Sequence, residues 1–293
     1  MPLHKTYVEP FAGGAAVYFR KEPSQREVIS DKDTEIAFAF KFLRDMTPKQ
    51  WERLKKYNWT ISRRTFEQVR AMAPKDDVER FRKFYYLKRG SFAGTSNRLN
   101  TGGIGNEISL DRLPKVHERL KRSEVHSGDA VAMVKKYDSP STFFYLDPPY
   151  PNRAGTNTQD LGGSYNEDDL QRLVGVLKKA KGKFMLSLGT EHAKLLPANW
   201  HIKRVWVERR MVPSQTGVVT PGQYEIIATN YNPTKELKRP HIEMVPAKMA
   251  NAKLPTEPMR RVPTGGVYSD RRGQRFSRQC HRGWKSMPRV VSN

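Results

Sequence analysis

The stretch "FFYLDPPY" at residues 143–150 decides how this chain is read. The apolar run "TFFYL" (142–146) fits a strand in the middle of a parallel sheet, covered on both faces. It ends in an acid, two prolines and an aromatic ring. Pro148 and Pro149 donate no backbone hydrogen bond and fix their own φ. The residue before each proline is pushed into extended geometry. What results is a stiff rim that only accepts, made of the Asp147 carboxylate and the Pro148 carbonyl. Such a rim matches a group with two hydrogens to donate, such as an exocyclic amine on a planar base. Tyr150 would supply a stacking face, a contact worth about 1–3 kcal/mol. An isolated D-P-P-Y also reads as a proline-stiffened turn with a solvated acid. Its place after an apolar strand and downstream of a glycine loop favours the binding rim.

Upstream, residues 1–33 read as strand, glycine turn, helix, strand. "TYVEPF" is short and apolar, "AGG" breaks it, and "AAVYFR" resumes in helix-compatible residues. Glycines at that turn let backbone approach a ligand closely, and a helix N-terminus offers unpaired N–H groups. "REVISD" is a second strand ending in Asp31, whose carboxylate could accept from both hydroxyls of a ribose. The strict GxGxxG pattern is absent, and a plain structural turn explains the glycines equally well. A third strand, "EVHSGD", ends in Asp129, which could line the same crevice, cap the helix "AVAMVKKY", or do both.

Between these strands lies a block of different character. "TEIAFAFKFLRD" (34–45) is a helix apolar on nearly all sides. "TPKQWERLKKY" opens with a capping Thr and a Pro at the first helical position. "DDVERFRKFYYLKRG" is a basic, aromatic helix stopped by Gly90, and its rings Phe81, Phe84, Tyr85 and Tyr86 read mainly as core. A glycine-rich loop, "SFAGTSNRLNTGGIGNE", and the basic helix "DRLPKVHERLKR" close a helical insertion. Downstream, "NEDDLQRLVGVLKKAKG" keeps i, i+3, i+4, i+7 periodicity behind an Asn166 cap. "KFMLSL" is a strand, and "IKRVWVE" with "YEIIATNY" read as a closing antiparallel pair. Strands and helices in alternation argue for an α/β layered fold.

The formal net charge is +23. From Thr234 onward there are 14 Lys/Arg against 4 Asp/Glu, so +10 lies in that tail and +13 in the body. A body that is itself basic favours a polyanionic partner, nucleic acid first. The tail has little periodicity and much proline and charge, and reads as disordered. The single Cys280 excludes an internal disulfide framework, which fits a reducing cytosol. No apolar stretch is long enough to span a bilayer, and the first residues have no signal-peptide core. The seven histidines show no metal-ligand spacing.

Taken in order, "YVEPFAGGAAVYF", "ISDKD", "KRGSFAGTSNRLNTGG", "FYLDPPY", "GGSYNEDDLQRL" and "YEIIATNY" resemble DNA adenine N6-methyltransferases of the Dam type, from about Tyr7 to Pro233. The resemblance implies a Rossmann-like, S-adenosylmethionine-dependent methyltransferase sheet of the α/β class with a helical target-recognition insert. Residues 1–45 and 124–233 would form the cofactor-binding and catalytic domain, 46–123 the insert, and 234–293 the basic tail. Asp147, Pro148, Pro149 and Tyr150 would be catalytic. Glu9, Pro10, Phe11, Gly13, Gly14, Asp31, Asp129 and Asp147 would bind S-adenosylmethionine. Arg89, Ser91, Phe92, Arg98 and Asn100 would touch double-stranded DNA, and Tyr165 would help grip a flipped base. The expectations extend to a cytoplasmic monomer without a metal, of bacterial or phage origin. Two departures stand out. The family's N-terminal "GGK" motif is missing, since six residues precede Tyr7, and Ala93 replaces the loop's usual Asn. The first raises a rival reading, a DNA-binding module that has lost catalysis. Cytosine N4 or a guanine in RNA are rival targets for the same motif.

Overall fold

In a computed structural model, the described residues are 1–91, 99, 107–151, 165–207 and 222–237, with the backbone of 268–269 and 275–276. They fall in two compact units, Met1–Lys238 and Arg239–Asn293. In the second unit the described elements are β8 (Tyr268–Ser269) and β9 (Arg275–Phe276), an antiparallel pair. The rest of the tail lies outside the described residues.

The first unit is built on a seven-stranded sheet. Its strands are β1 (Thr6–Glu9), β2 (Arg26–Asp31), β3 (Ser123–Ser127), β4 (Thr142–Leu146), β5 (Lys183–Gly189), β6 (His201–Val207) and β7 (Gln223–Thr229). Their order is β3-β2-β1-β4-β5-β7-β6. Strands β1 to β5 pair in parallel, whereas β7 runs antiparallel to both β5 and β6. Order and direction agree with the Rossmann-like sheet that the resemblance implies, with a reversed strand inserted near one edge. The closing antiparallel pair expected from "IKRVWVE" and "YEIIATNY" is the β6–β7 hairpin.

Alternation of side chains divides the interior into two cores. Tyr7, Ile29, Val125 and Phe143 point to one face, and Val8, Val28, Phe144, Leu146, Phe184 and Leu186 to the other. The first face is covered by α1 (Thr34–Asp45) and by helices of the insertion: α2 (Pro48–Lys55), α3 (Arg63–Ala71), α4 (Asp77–Gly90) and α5 (Leu113–Leu120). The second is covered by α6 (Ala130–Tyr137), α7 (Glu167–Leu177) and the region of a 3₁₀ turn, Thr190–Leu195. Phe143, Phe144 and Leu146 are each fully buried, which fits the reading of "TFFYL" as a strand covered on both sides. Each contributes roughly 1.5–3 kcal/mol of burial.

The helix starts follow the sequence. Asp33, Thr47, Ser62, Asp76, Asp129 and Asn166 cap their helices, and Thr47 and Asn166 complete capping boxes. Phe81 and Tyr86 are buried while Phe84 and Tyr85 pack partly buried against the same core, so this aromatic set is structural. Phe81 stacks on Phe42 of α1 at 4.7 Å between ring centroids. Two short α-helices escaped the sequence reading. Helix α3 is one, and α8 (Pro233–Leu237) is the other, where the Asn232 side chain accepts from the N–H groups of Thr234 and Lys235.

The helix expected after the glycine turn does not form. Gly13 and Ala15 both take positive φ, 47° and 49°, and residues 16–20 continue as turns. The Tyr18 N–H is donated to the Glu9 carboxylate at 3.0 Å, not to a carbonyl of the preceding turn. A left-handed residue together with this capture of a donor breaks the helical ladder.

A buried charge cluster ties the insertion to this turn. Glu27 of β2 is 3% exposed and pairs with Lys21 and with Arg119 of α5. Arg119 also reaches the Tyr18 hydroxyl at 3.0 Å and the Tyr18 carbonyl at 3.2 Å. Arg119→Ala leaves Glu27 with Lys21 and the Ser24 N–H, and it should destabilise the protein by roughly 3 kcal/mol, the scale for breaking a buried pair. Urea unfolding reads this directly, and an unchanged midpoint would show that the cluster is not what fastens α5.

Candidate active site

The strand order reverses between β1 and β4, and ligand crevices of open α/β sheets form there, beyond the C-terminal strand ends. Glu9 ends β1 and Asp147 follows β4. Leu146 lies opposite Leu186, so Asp147 comes level with Ser187 of β5, while Glu225 of β7 lies opposite Gly189. Strand parity puts Glu9, Ser187 and Glu225 on the sheet face of the first core, and Asp147 continues the parity of Phe143 and Tyr145.

Glu9 is 2% exposed. Its Oε2 accepts from the Tyr7 hydroxyl at 2.7 Å and from the Tyr18 N–H. Burial pushes its carboxyl up to about 7 despite those bonds, and the nearby Asp147 charge adds to the rise. Asp147 itself is pushed up to about 6, first by desolvation and then by Glu225, with Ser187 opposing through a hydrogen bond. By accessible surface Asp147 is exposed, although neighbouring protein crowds its carboxyl. The upward direction holds on either count, because the Glu225 carboxylate disfavours a second negative charge.

Tyr150 is 8% exposed and packs in the second core. Its hydroxyl lies 3.0 Å from Ser187 Oγ and donates to Glu225 Oε2 at 3.2 Å. Gln223 Nε2 donates to the other oxygen of Glu225 at 2.9 Å. Neither Ser187 nor Glu225 was singled out from sequence. The available signal was slight, a polar residue within each of the largely apolar strands "KFMLSL" and "YEIIATNY".

A cleft of ≈ 380 Å³, counted to its open mouth, lies on the other side of Pro10 and Phe11. Phe11, Val131, Leu173 and Tyr165 form apolar parts of its lining, and Lys32, Asp129, Asp169 and Arg172 supply charge. The Tyr165 ring meets Phe11 edge-on at 5.8 Å, and its hydroxyl is buried with no hydrogen-bond partner among the described residues. Tyr165, expected from the resemblance to grip a DNA base, is thus placed in this cleft with Phe11 and Asp129. Asp129 caps α6 and stays exposed in the lining of the cleft.

The glycine turn differs from the expectation of free N–H groups. Gly13 donates to Asp31 Oδ2 at 2.8 Å, and Asp33 N–H donates to Asp31 Oδ1 at 2.9 Å. Asp31 therefore stitches β2 to the turn. Desolvation raises its carboxyl above the ordinary range against the pull of these bonds. A Cβ built at Gly13 or Gly14 would meet nothing within 4 Å, so this backbone borders open space. Of the residues expected to touch DNA, Arg89 is exposed at the end of α4, and Ser91 is buried and bridges to Leu99. Phe92, Arg98 and Asn100 lie outside the described residues. Among the described residues no group of His, Cys, Asp and Glu could hold a metal ion, and no helix is long and apolar enough to cross a membrane.

The sequence profile of the family described as D12 class N6 adenine-specific DNA methyltransferase matches residues 1–211. The chain belongs to this family. It is an enzyme that methylates adenine N6 in DNA. It is also 27% identical over 261 residues to the type II methyltransferase M.MjaIII of Methanocaldococcus jannaschii, covering 78% of this chain and 89% of that one. Type II methyltransferase M1.LlaDCHI of Lactococcus lactis subsp. cremoris is 28% identical over 254 residues, covering 77% and 86%. For M.CviBI of Paramecium bursaria Chlorella virus NC1A the figures are 26% over 197 residues, 63% and 73%.

In this D12-class chain the buried Glu9 has a measurable cost. Its folded pKa of about 7 lies above the ordinary 4.5, so the folded state holds a proton that the unfolded state has released. Stability from this group therefore falls as pH rises from about 4.5 to 7. Glu9→Gln keeps an acceptor for Tyr7 and Tyr18 and removes the titration. The variant should be roughly 1–3 kcal/mol more stable than wild type at pH 8 and similar to it at pH 4.5, by urea unfolding.

Proposed function

We propose that the cleft beside Phe11 takes the nucleoside end of S-adenosylmethionine, and that Asp147 and the Pro148 carbonyl hold the amine of the target adenine. The observation that carries this reading is the placement of two dissimilar sites at the β1–β4 reversal. One is a part-apolar cleft and the other a carboxylate crevice. The residues present fit the cofactor. Tyr165 offers an unused hydroxyl and an aromatic wall, and the backbone at Gly13 and Gly14 is open to close approach. Asp31 has both oxygens engaged, yet a carboxylate has about four lone-pair sites, which leaves acceptors for ribose hydroxyls. On its placement we assign Tyr165 to this cleft, with Pro10, Phe11 and Asp129. The carboxylates of Glu9, Asp147 and Glu225 make the neighbouring crevice favourable for positive charge.

When bound, S-adenosylmethionine supplies an electrophilic methyl group. The adenine amine is a weak nucleophile, because its lone pair is shared with the ring. Accepting both of its hydrogens, at Asp147 and at the Pro148 carbonyl, favours a tetrahedral nitrogen and the positive charge that grows on it during transfer. Pro148 and Pro149 hold this rim stiff, so orientation is fixed in advance. The amine proton leaves after transfer, and Asp147 is the nearest acceptor in this scheme. Tyr150 forms the wall behind the base. A paired adenine must be extruded first, at a cost of a few kcal/mol.

Double-stranded DNA as substrate is supported by the net charge of +23. The insertion 46–123 is proposed to read it, with Arg89, Ser91, Phe92, Arg98 and Asn100 as contacts on the strength of the loop's resemblance. The type II names of the relatives support a role in a restriction-modification system.

Asp147→Ala should lower transfer about 100- to 1,000-fold while leaving DNA affinity within a few-fold. The assay is methylation of unmethylated duplex, followed by digestion to nucleosides. Full activity in this variant, or N4-methylcytosine as product, would refute the assignment. For the wild type, kcat/KM should fall as pH drops through about 6, because a protonated Asp147 loses acceptor capacity. Calorimetric titration tests the cleft: Tyr165→Ala should weaken S-adenosylmethionine binding about tenfold and spare duplex binding.

A further inference from the structure

We propose that Glu225, on the reversed strand β7, is a positioning residue for methyl transfer, acting by holding the hydroxyl of Tyr150. This rests on the assignment of Asp147 and Tyr150 to the target-base pocket. The D-P-P-Y sequence fixes the backbone of its rim but leaves the Tyr150 ring free to rotate about χ1. Strands β5 and β7 remove that freedom. Ser187 and Glu225 meet the Tyr150 hydroxyl at 3.0 and 3.2 Å, from adjacent strands. Gln223 in turn fixes the second oxygen of Glu225 at 2.9 Å, so the carboxylate is itself held. Proton counting orders the bonds. The phenol has one hydrogen and donates it to Glu225, and the single hydroxyl hydrogen of Ser187 is shared between its contacts with the phenol oxygen and with Asp147.

Glu225 has a second effect on the same pocket. The groups that face Asp147 are Glu9 from β1, Tyr145 from β4, Ser187 from β5, Glu225 from β7, and Tyr150. Among these Glu225 is the charge that most raises the Asp147 carboxyl. One side chain thus sets where the ring stands and how readily its neighbour ionises. A doubly wound sheet of parallel strands alone has no residue at this place. Insertion of β7 beside β5 supplies it.

The test is a double-mutant cycle on the full chain, with wild type, Tyr150→Phe, Glu225→Ala, Glu225→Gln and Tyr150→Phe/Glu225→Ala. It is read as kcat and KM for transfer from labelled S-adenosylmethionine to unmethylated genomic duplex. Glu225→Ala should lower kcat about tenfold or more with KM for DNA within threefold, the scale of one hydrogen bond to a charged group. Glu225→Gln still accepts from the phenol and should recover to within about threefold of wild type at neutral pH. Its acid limb should move to lower pH, because the repulsion on Asp147 is gone; a merely structural role would leave the limb in place. Removing the phenol oxygen first should abolish the effect of Glu225→Ala. Independent, multiplicative losses in the double variant overturn the proposal, as does wild-type kcat in Glu225→Ala. If Asp147→Ala is fully active the pocket assignment itself fails. If Asp147→Ala is inactive and Glu225→Ala is not, only the role of Glu225 fails. Thermal unfolding of each variant, within a few degrees of wild type, confirms that kinetics and not folding is compared.

Discussion

Parallel pairing of β1 with β4 is the constraint on which the site depends. It makes neighbours of two strands far apart in the chain, and the strand order turns back between them. Everything that can act on a ligand follows from that register. Glu9 and Asp147 arrive at one edge, Ser187 comes level with Asp147 through β5, and β7 brings Glu225 back to the same edge. Desolvation raises the Glu9 and Asp147 carboxyls above the ordinary range, and a neighbouring charge adds to each rise, Asp147 beside Glu9 and Glu225 beside Asp147. An arrangement that costs stability in this way suits a site where positive charge develops on the bound partner.

Competition for backbone donors shapes the turn beside the crevice. Asp31 takes the Gly13 and Asp33 N–H groups, Glu9 takes that of Tyr18, and no helix follows β1. Tyr18 then links outward to Arg119 of the insertion and to Ser123 at the start of β3. Glu9, the turn after β1 and helix α5 of the insertion are thus joined through one short polar network. The insertion helices share the first core with α1 and the sheet, so their position relative to the crevice is set by packing.

Much of the fold was legible in the sequence, because its signals are local. "TFFYL" needed only its apolar run, and the caps at Thr47 and Asn166 needed only short-range hydrogen bonds. The aromatic helix 77–90 was rightly read as core. What was not legible has physical causes. A helix after the glycines was excluded by Glu9, nine residues before Tyr18 in sequence but adjacent in space. Tyr165 lies against Phe11, a contact between segments that no periodicity announces. Glu225 and Ser187 are polar residues in largely apolar strands, and their meaning depends on Tyr150 reaching across to them.

The sequence by itself determined the stiffness and chemistry of the rim. Two prolines and a carboxylate have fixed torsions and fixed acceptors wherever the chain places them. It also determined the class of sheet, since alternating strands and helices leave few ways to bury their apolar faces. Only the tertiary structure decided what stands around the rim. The pairing of Asp147 with Ser187, the hold of Glu225 on Tyr150 and the separate cleft at Phe11 and Tyr165 are long-range contacts. They arise from strand register and packing, which depend on the whole chain and not on any segment of it.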